Sequence, residues 1–366
     1  MTADAVFRAV HLLAGFGLLL ALLAGAPAAA QGYAGLGAEG SAEGFREVRP
    51  GRAFRFPEDH APHPGFRIEW WYVTANLEDA EGRPLGVQWT LFRQSLSPAP
   101  EIEGWTAPQV WMGHAAVTTP EAHAVAERFA RGGVGQAGVV GAPFEAWIDD
   151  WRFASLGAGP EAPFAPLALT AAGEGFGFDL RVARAGPFAL QGEGGYSRKS
   201  ERGQASYYYS NPFLEVEGRV TLGGETREVT GRAWLDREWS SRPLDADQSG
   251  WDWFSLHLPG GEKLMLYRLR HEDGRDWRAS NWIRADGTSE ALAREGIEMR
   301  PLRREAIAGR EVPVAWEIAI PARGLEIRTE PVNPRAWMET TFEYWEGPIR
   351  FSGTHEGVGY LEMTGW

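Results

Sequence analysis

The chain has 366 residues, a formal net charge of −13 and no cysteine. An acidic chain without a basic block is a poor partner for nucleic acid, whose binding rests on cationic contacts to phosphate. Disulfides and thiolate chemistry are excluded. Its 46 Gly, 24 Pro and 17 Trp, with little helical periodicity, point to a turn-rich all-β protein too long for one small core.

Residues 1–30 read as an export signal. Arg8 supplies positive charge, Leu12–Leu23 is mostly apolar, and Ala28-Ala29-Ala30 offers a small-residue cleavage site before Gln31. The apolar run is short for a membrane span, and no Cys follows it to carry a lipid. The mature protein is therefore expected to be periplasmic or secreted. Residues 31–47, rich in Gly, Ala, Ser and Glu, read as a flexible leader.

Arg67–Leu77 (RIEWWYVTANL) and Pro84–Gln94 (PLGVQWTLFRQ) read as two strands of a hairpin. Glu69 and Arg93 lie on these paired strands and are expected to form an internal ion pair. Further strands are expected at Trp111–Thr118, Phe144–Phe153, Leu167–Ala172, Gly177–Ala183 and Phe188–Gly192. Thr119–Arg128 (TPEAHAVAER) is expected to be a short helix, with Thr119 as N-cap and Pro120 in the first turn. In Tyr207-Tyr208-Tyr209, an extended backbone puts Tyr207 and Tyr209 on one face and Tyr208 on the other.

Trp234–Leu258 holds Trp234, Trp239, Trp251 and Trp253 among many acidic residues. Ser249–Leu258 is expected to be a strand, closed by Pro259-Gly260-Gly261. Alternation puts Trp251, Trp253, Ser255 and His257 on one face, and Asp252, Phe254, Leu256 and Leu258 on the other. Likewise Trp234, Asp236 and Glu238 share a face, opposite Arg237 and Trp239.

The second half echoes the first. IEWWYVTANLEDAEGRPLGVQWTLFRQ is similar to GWDWFSLHLPGGEKLMLYRLR, with Trp71-Tyr72 aligned on Trp253-Phe254. Phe213-Leu214-Glu215-Val216-Glu217-Gly218 is similar to Tyr360-Leu361-Glu362-Met363-Thr364-Gly365. Two related β units are expected, at residues 48–222 and 223–366, each with enough strands to close a barrel.

Several motifs resemble one family. They are Phe56-Pro57-Glu58-Asp59-His60, Glu69-Trp70-Trp71-Tyr72, Gly113-His114-Ala115-Ala116-Val117, Trp147-Ile148-Asp149-Asp150-Trp151, Tyr207–Asn211, Trp234–Ser240 and the GYLEMTG tail. Together they resemble the carotenoid 1,2-hydratase-related, AttH-like proteins. The resemblance implies two tandem lipocalin-like β-barrel domains, of CrtC type in the first unit. It implies either an exported binder of an apolar lipid-like or isoprenoid ligand, or a hydro-lyase adding water to a carbon–carbon double bond of a polyene. A third implied role is that of an accessory to the permease of an ABC export system. The chain departs from the hydratases in two places. Trp234–Leu258 holds only His257 where they are His-rich, and Lys263–Arg270 lacks the acid they carry there.

Hydrating an unactivated alkene needs a proton donor aimed at carbon. A carboxylic acid in an aromatic pocket suits this, because desolvation keeps it protonated. Asp236 and Glu238 are the candidate catalytic pair; otherwise they join Arg237 in a charge network. Trp71, Tyr72, Tyr207, Tyr209, Trp234, Trp239, Trp251 and Trp253 are the candidate ligand wall. Asp59, His60 and His63 have a spacing that could bind a metal but no supporting framework, so they read as a loop histidine pair. His114, among small residues, reads as a core histidine. No cofactor or metal is indicated. The expected partner is an apolar small molecule or lipid, and the expected state a monomer. No Ser stands in a G-x-S-x-G elbow, so no serine hydrolase is indicated.

Overall fold

In a computed structural model, residues 42–366 are described, apart from 100–101, 158–163, 165 and 185. The expected export signal, and the leader up to residue 41, lie outside the described residues.

The first sheet contains β1 (Ile68–Asp79), β2 (Pro84–Ser95), β3 (Gln109–Thr118), β4 (His123–Arg131), β5 (Ala137–Gly141), β6 (Phe144–Ile148), β7 (Trp151–Ser155), β8 (Leu167–Gly173), β9 (Phe176–Arg184), β10 (Ala189–Leu190), β11 (Tyr196–Arg198), β12 (Ala205–Leu222) and β13 (Glu225–Ser240). Its order is β4-β3-β2-β1-β13-β12-β9-β8-β7-β6-β5, with β10 and β11 paired to β12. The sheet rolls until β4 packs on β6 and β8.

The second sheet contains β14 (Gln248–His257), β15 (Lys263–His271), β16 (Asp276–Ile283), β17 (Ser289–Leu292), β18 (Glu298–Ile307), β19 (Arg310–Ile320), β20 (Leu325–Pro331), β21 (Trp337–Met338), β22 (Tyr344–Gly353) and β23 (Gly357–Met363). Its order is β17-β16-β15-β14-β23-β22-β20-β19-β18, with β21 on β22. Pairing is antiparallel in both. The fold class is thus all-β, two tandem lipocalin-like sheets, as expected.

Alternation explains both interiors. Trp71, Val73, Ala75 and Leu77 on β1 fill the first core, facing Leu85, Val87, Trp89 and Leu91 on β2. Phe254 and Leu256 on β14 fill the second, with Trp316, Ile318 and Trp345. The residues between them point away from each core, and there the sheets meet. Tyr72, Tyr208, Trp234, Trp253, Met265 and Tyr267 make a third buried cluster along this seam. Asn76 Nδ2 donates to the Gly359 carbonyl across it, at 2.7 Å. At Gly86 the sheets approach so closely that a Cβ would lie 2.6 Å from Pro348 Cγ.

Three expectations are corrected. Thr119–Arg128 is not a helix. Thr119 Oγ1 accepts from Ala122 N at 3.1 Å, turning the chain so that His123–Arg131 pairs with β3. The turn and a sheet edge override the helix propensity of the alanines. Phe144–Phe153 is two strands, broken at Asp149, whose φ is +54°. The division expected after Leu222 falls at a hairpin turn inside the first sheet, since β12 and β13 pair with each other throughout. The second sheet starts at Gln248.

The reason lies in the repeat. β14 is flanked by β15 and β23, and β1 by β2 and β13. The counterpart of the YLEMTG strand is therefore β13, not the FLEVEG strand β12. The EWWY alignment is displaced by one residue as well. Trp71 and Phe254 both face cores, while Tyr72 and Trp253 both face the seam. A one-residue slip exchanges faces in a strand.

Candidate functional site

The seam widens into a narrow aromatic slot lined by residues of both sheets. Both sheets build it by one plan. Tyr72 on β1 lies opposite Asp236 on β13. Trp253 on β14 lies opposite Glu362 on β23. The Tyr72 and Trp253 rings meet edge to face, with centroids 5.3 Å apart. Each half thus presents one ring and one acid in the same relative position. Trp70, Phe92, Trp251, Leu269, Phe342 and Tyr344 complete most of the apolar wall.

Asp236 is held from three sides. Tyr208 Oη donates to Oδ2 at 2.5 Å, while Ser210 Oγ, at 2.5 Å, and Trp234 Nε1, at 2.6 Å, donate to Oδ1. Burial nevertheless wins and pushes the carboxyl up to about 7. No cation forms an ion pair with it among the described residues. Glu362 is more open, with Trp251 Nε1 donating to Oε1 at 2.5 Å. Burial pushes it to about 7 also, and the nearby Asp236 adds to the rise.

Glu346 lies directly opposite Glu362 on the neighbouring strand. Two carboxylates so placed repel each other if both ionise. Burial first, then Glu362, holds Glu346 far above the usual carboxylate range. Its Oε1 accepts from Tyr72 Oη at 2.5 Å. Glu238, by contrast, faces the Lys199 ammonium at 2.8 Å and accepts from Ser206. Lys199 is raised: burial pulls its pKa down, but Glu238 and Tyr267 outweigh that.

His114 borders the same slot. Its Nδ1 contacts Tyr344 Oη at 2.9 Å and its Nε2 contacts Glu127 at 3.0 Å. Burial lowers its pKa despite Glu127, so the ring is neutral near pH 7. The arrangement can hold an apolar molecule, offer a carboxylic acid proton to it, and keep one carboxylate–ammonium pair nearby.

The model of the AttH-like family matches residues 47–366. The chain belongs to the AttH-like family. A crystal structure assigned to AttH from Nitrosomonas europaea is 34% identical, with a TM-score of 0.76, over 88% of this chain and 100% of that one. Kievitone hydratase from Nectria haematococca is 16% identical, with a TM-score of 0.64, over 88% of this chain and 96% of that one. The second likeness is one of fold. No protein of curated function matches the chain.

In this AttH-like chain the slot gathers Asp236, Glu238, Tyr72, Trp251 and Trp253 from the residues singled out by sequence. Trp234 supports Asp236 from behind. Trp71, Tyr207, Tyr209 and Trp239 lie on the opposite faces of their strands and do not line the slot. Trp71 stacks near Trp111 in the first core and under the Arg237 guanidinium, 3.8 Å from its ring centroid. Tyr207, Tyr209 and Trp239 pack on Phe54, in the segment preceding β1.

Asp236, Arg237 and Glu238 do not form one charge network. The strand sends Arg237 to Glu69, which also pairs with Arg93. The Glu69–Arg93 ion pair stands as expected. His63 Nε2 contacts Asp59 at 3.1 Å, and His60 Nδ1 contacts Tyr209 Oη at 2.6 Å. Among the described residues, no group of three His, Cys, Asp or Glu could hold a metal.

Sequence reasoning missed Glu362, Tyr208, Trp70 and Lys199. Alternation could have found three of them. Trp70 shares a face with Tyr72, Tyr208 is the tyrosine opposite to Tyr207 and Tyr209, and Glu362 sits in the tail motif beside aromatic Tyr360. Lys199 lies in a loop and carries no such signal.

Proposed function

We propose that the slot binds an apolar, isoprenoid-like molecule and protonates one of its carbon–carbon double bonds, so that water adds across it. The observation that carries this reading is Glu362, a carboxyl with no cation partner among the described residues, walled by aromatic rings and opposed by a second carboxyl. Such a group keeps its proton near neutral pH, which a donor to carbon requires.

Glu362 is a better donor than Asp236. Both Asp236 oxygens are engaged by three protein donors, whereas Glu362 is only half-buried and is held by Trp251 Nε1 and the Tyr72 hydroxyl. The Glu362 proton bonds to one alkene carbon, using the π electrons. The cation left on the other carbon faces the rings of Tyr72, Trp251 and Trp253, whose π clouds stabilise positive charge. A water held by Glu238 and Lys199 bonds to that carbon and gives its proton to Glu238. Exchange with solvent restores Glu362. Asp236 fixes Tyr208, which in turn accepts from Trp253 Nε1 at 3.1 Å, holding that ring in place.

The test is incubation with an acyclic isoprenoid polyene in deuterated water. The wild type is expected to yield an alcohol carrying deuterium on the adjacent carbon. Glu362→Gln should lose about 10²–10⁴-fold in rate with binding retained. Full turnover by Glu362→Gln removes it as the acid. Binding by the wild type without deuterium uptake makes the slot a carrier site instead. Export of the mature chain remains part of this proposal, tested by sequencing the N-terminus of protein recovered from the native envelope.

A further inference from the structure

The seam has a second opening, beyond Trp234 and Trp253, and its chemistry is reversed. Strand β13 carries Asp236 towards the slot and Arg232 towards this second groove. Strand β15 likewise carries Tyr267 to the slot and Lys263 to the groove. His257, at the end of β14, lies directly opposite Lys263 in the ladder. Three nitrogen-bearing side chains from three strands therefore converge, and the groove between them encloses about 910 Å³ counted out to solvent.

Their partners are few. Lys263 is only 5% exposed, and its ammonium donates to the Gly261 carbonyl at 3.2 Å. His257 is 2% exposed, and its Nδ1 has no hydrogen-bond partner. Among the described residues, no carboxylate forms an ion pair with Lys263 or with Arg232. Glu215 stands at the rim, opposite Arg232 in the ladder, yet lies beyond ion-pair distance of either cation. Like charges facing one another without a counter-charge are destabilising, and a buried ammonium with one carbonyl partner is under-satisfied.

The remaining wall is apolar, from Pro187, Pro212, Phe213, Leu258 and Pro259. The Lys263 ammonium lies 5.1 Å from the Phe213 ring centroid.

We propose that this groove is a binding site for the anionic head of an amphipathic molecule, a carboxylate or phosphate monoester on an apolar tail, held by Lys263, Arg232 and His257. The geometry suits an oxyanion. Lys263 and Arg232 supply charge from facing sheets, and His257 Nδ1 supplies a buried donor in the tautomer that protonates it. Burial, and then Lys263 and Arg232, keep the His257 ring neutral, so it contributes a hydrogen bond and no charge. Burial, and then Arg232, draw Lys263 down to about 8. Affinity should accordingly fall as pH rises through that value; Arg232, His257 and, at the rim, Glu215 are the other titratable groups facing the groove.

The full chain is titrated calorimetrically with decanoate, decyl phosphate and decanol at pH 7 and pH 9. Decanoate or decyl phosphate should bind at least about ten-fold tighter than decanol, and the tighter of the two anions identifies the head. Lys263→Gln and the exposed Arg232→Gln should each weaken the anion about ten-fold, one lost charge-assisted contact. Glu362→Gln, in the other opening, should not. Equal affinity for decanol, or unchanged anion binding in folded Arg232→Gln and Lys263→Gln, overturns the site. The outcome is independent of any hydration by the slot.

Discussion

Glu69 and Asp236 lie on opposite faces of one two-stranded ladder, both removed from water, and their protonation runs in opposite directions. Glu69 faces Arg93 and Arg237, and those cations outweigh a burial effect that would raise it, so its carboxyl stays far below the usual range. Asp236 meets only neutral donors and rises to about 7. The comparison shows that burial alone does not set a carboxyl's state here. The side of the strand does, because alternation turns Arg237 towards Glu69 and away from Asp236. Around Glu69 the ladder holds a charge, and around Asp236 it holds a proton.

The largest expected effect breaks the charged face. Glu69→Gln leaves two guanidinium groups buried without a carboxylate and should cost about 3–5 kcal/mol, read from denaturant midpoints. A midpoint within error of wild type would dissolve the contrast. Removing a ring from the seam should cost about as much. Trp253→Ala is expected to lose about 3–5 kcal/mol, whereas Trp105→Ala, at a position 75% exposed, should change stability by less than about 0.5 kcal/mol. Equal midpoints for the two would show that the seam is not a packed core.

The pH dependence sharpens the comparison. Asp236 titrates at about 7 in the folded chain, against 3.8 unperturbed. Between those values the folded state keeps a proton that the unfolded state has lost, so stability falls as pH rises through that window. Glu362, at about 7 against 4.5, acts with the same sign. Glu69 acts with the opposite sign: its contribution is present above 4.5 and is lost as pH falls through its folded value. Glu362→Gln should reduce the loss of unfolding free energy between pH 5 and pH 8 by on the order of 2 kcal/mol. A variant whose decline matches wild type would show that Glu362 is ionised throughout. The smallest effect is at the surface. Arg152→Gln breaks an exposed pair with Glu145 and should cost less than about 1 kcal/mol.

Much of this was legible in the sequence where period-2 alternation applies. The faces of Trp251, Trp253 and Phe254, and of Trp234, Asp236 and Arg237, follow from it directly. Partner identity does not. Nothing local says that Arg237 meets Glu69 rather than Asp236, or that β13 crosses back to β1. The repeat misled for the same reason: FLEVEG resembles YLEMTG in composition, but strand neighbours are set by hydrogen bonding across the whole sheet. The Thr119–Arg128 segment was misread because its alanines favour a helix in isolation, and pairing with β3 outweighs that. Glu362 escaped notice because the second wall of the slot is assembled only when two sheets dock.

The matched placement of Tyr72 with Asp236, and of Trp253 with Glu362, has a consequence for how such a slot can specialise. In a symmetric homodimer the two acids would be copies with identical surroundings. Here both halves belong to one polypeptide, so their environments can diverge independently. Asp236 is buried and closed off by Ser210, Tyr208 and Trp234, while Glu362 is half-buried at the slot wall beside Trp251 and Tyr72. The two acids stand in unlike surroundings, a difference that two identical subunits could not encode.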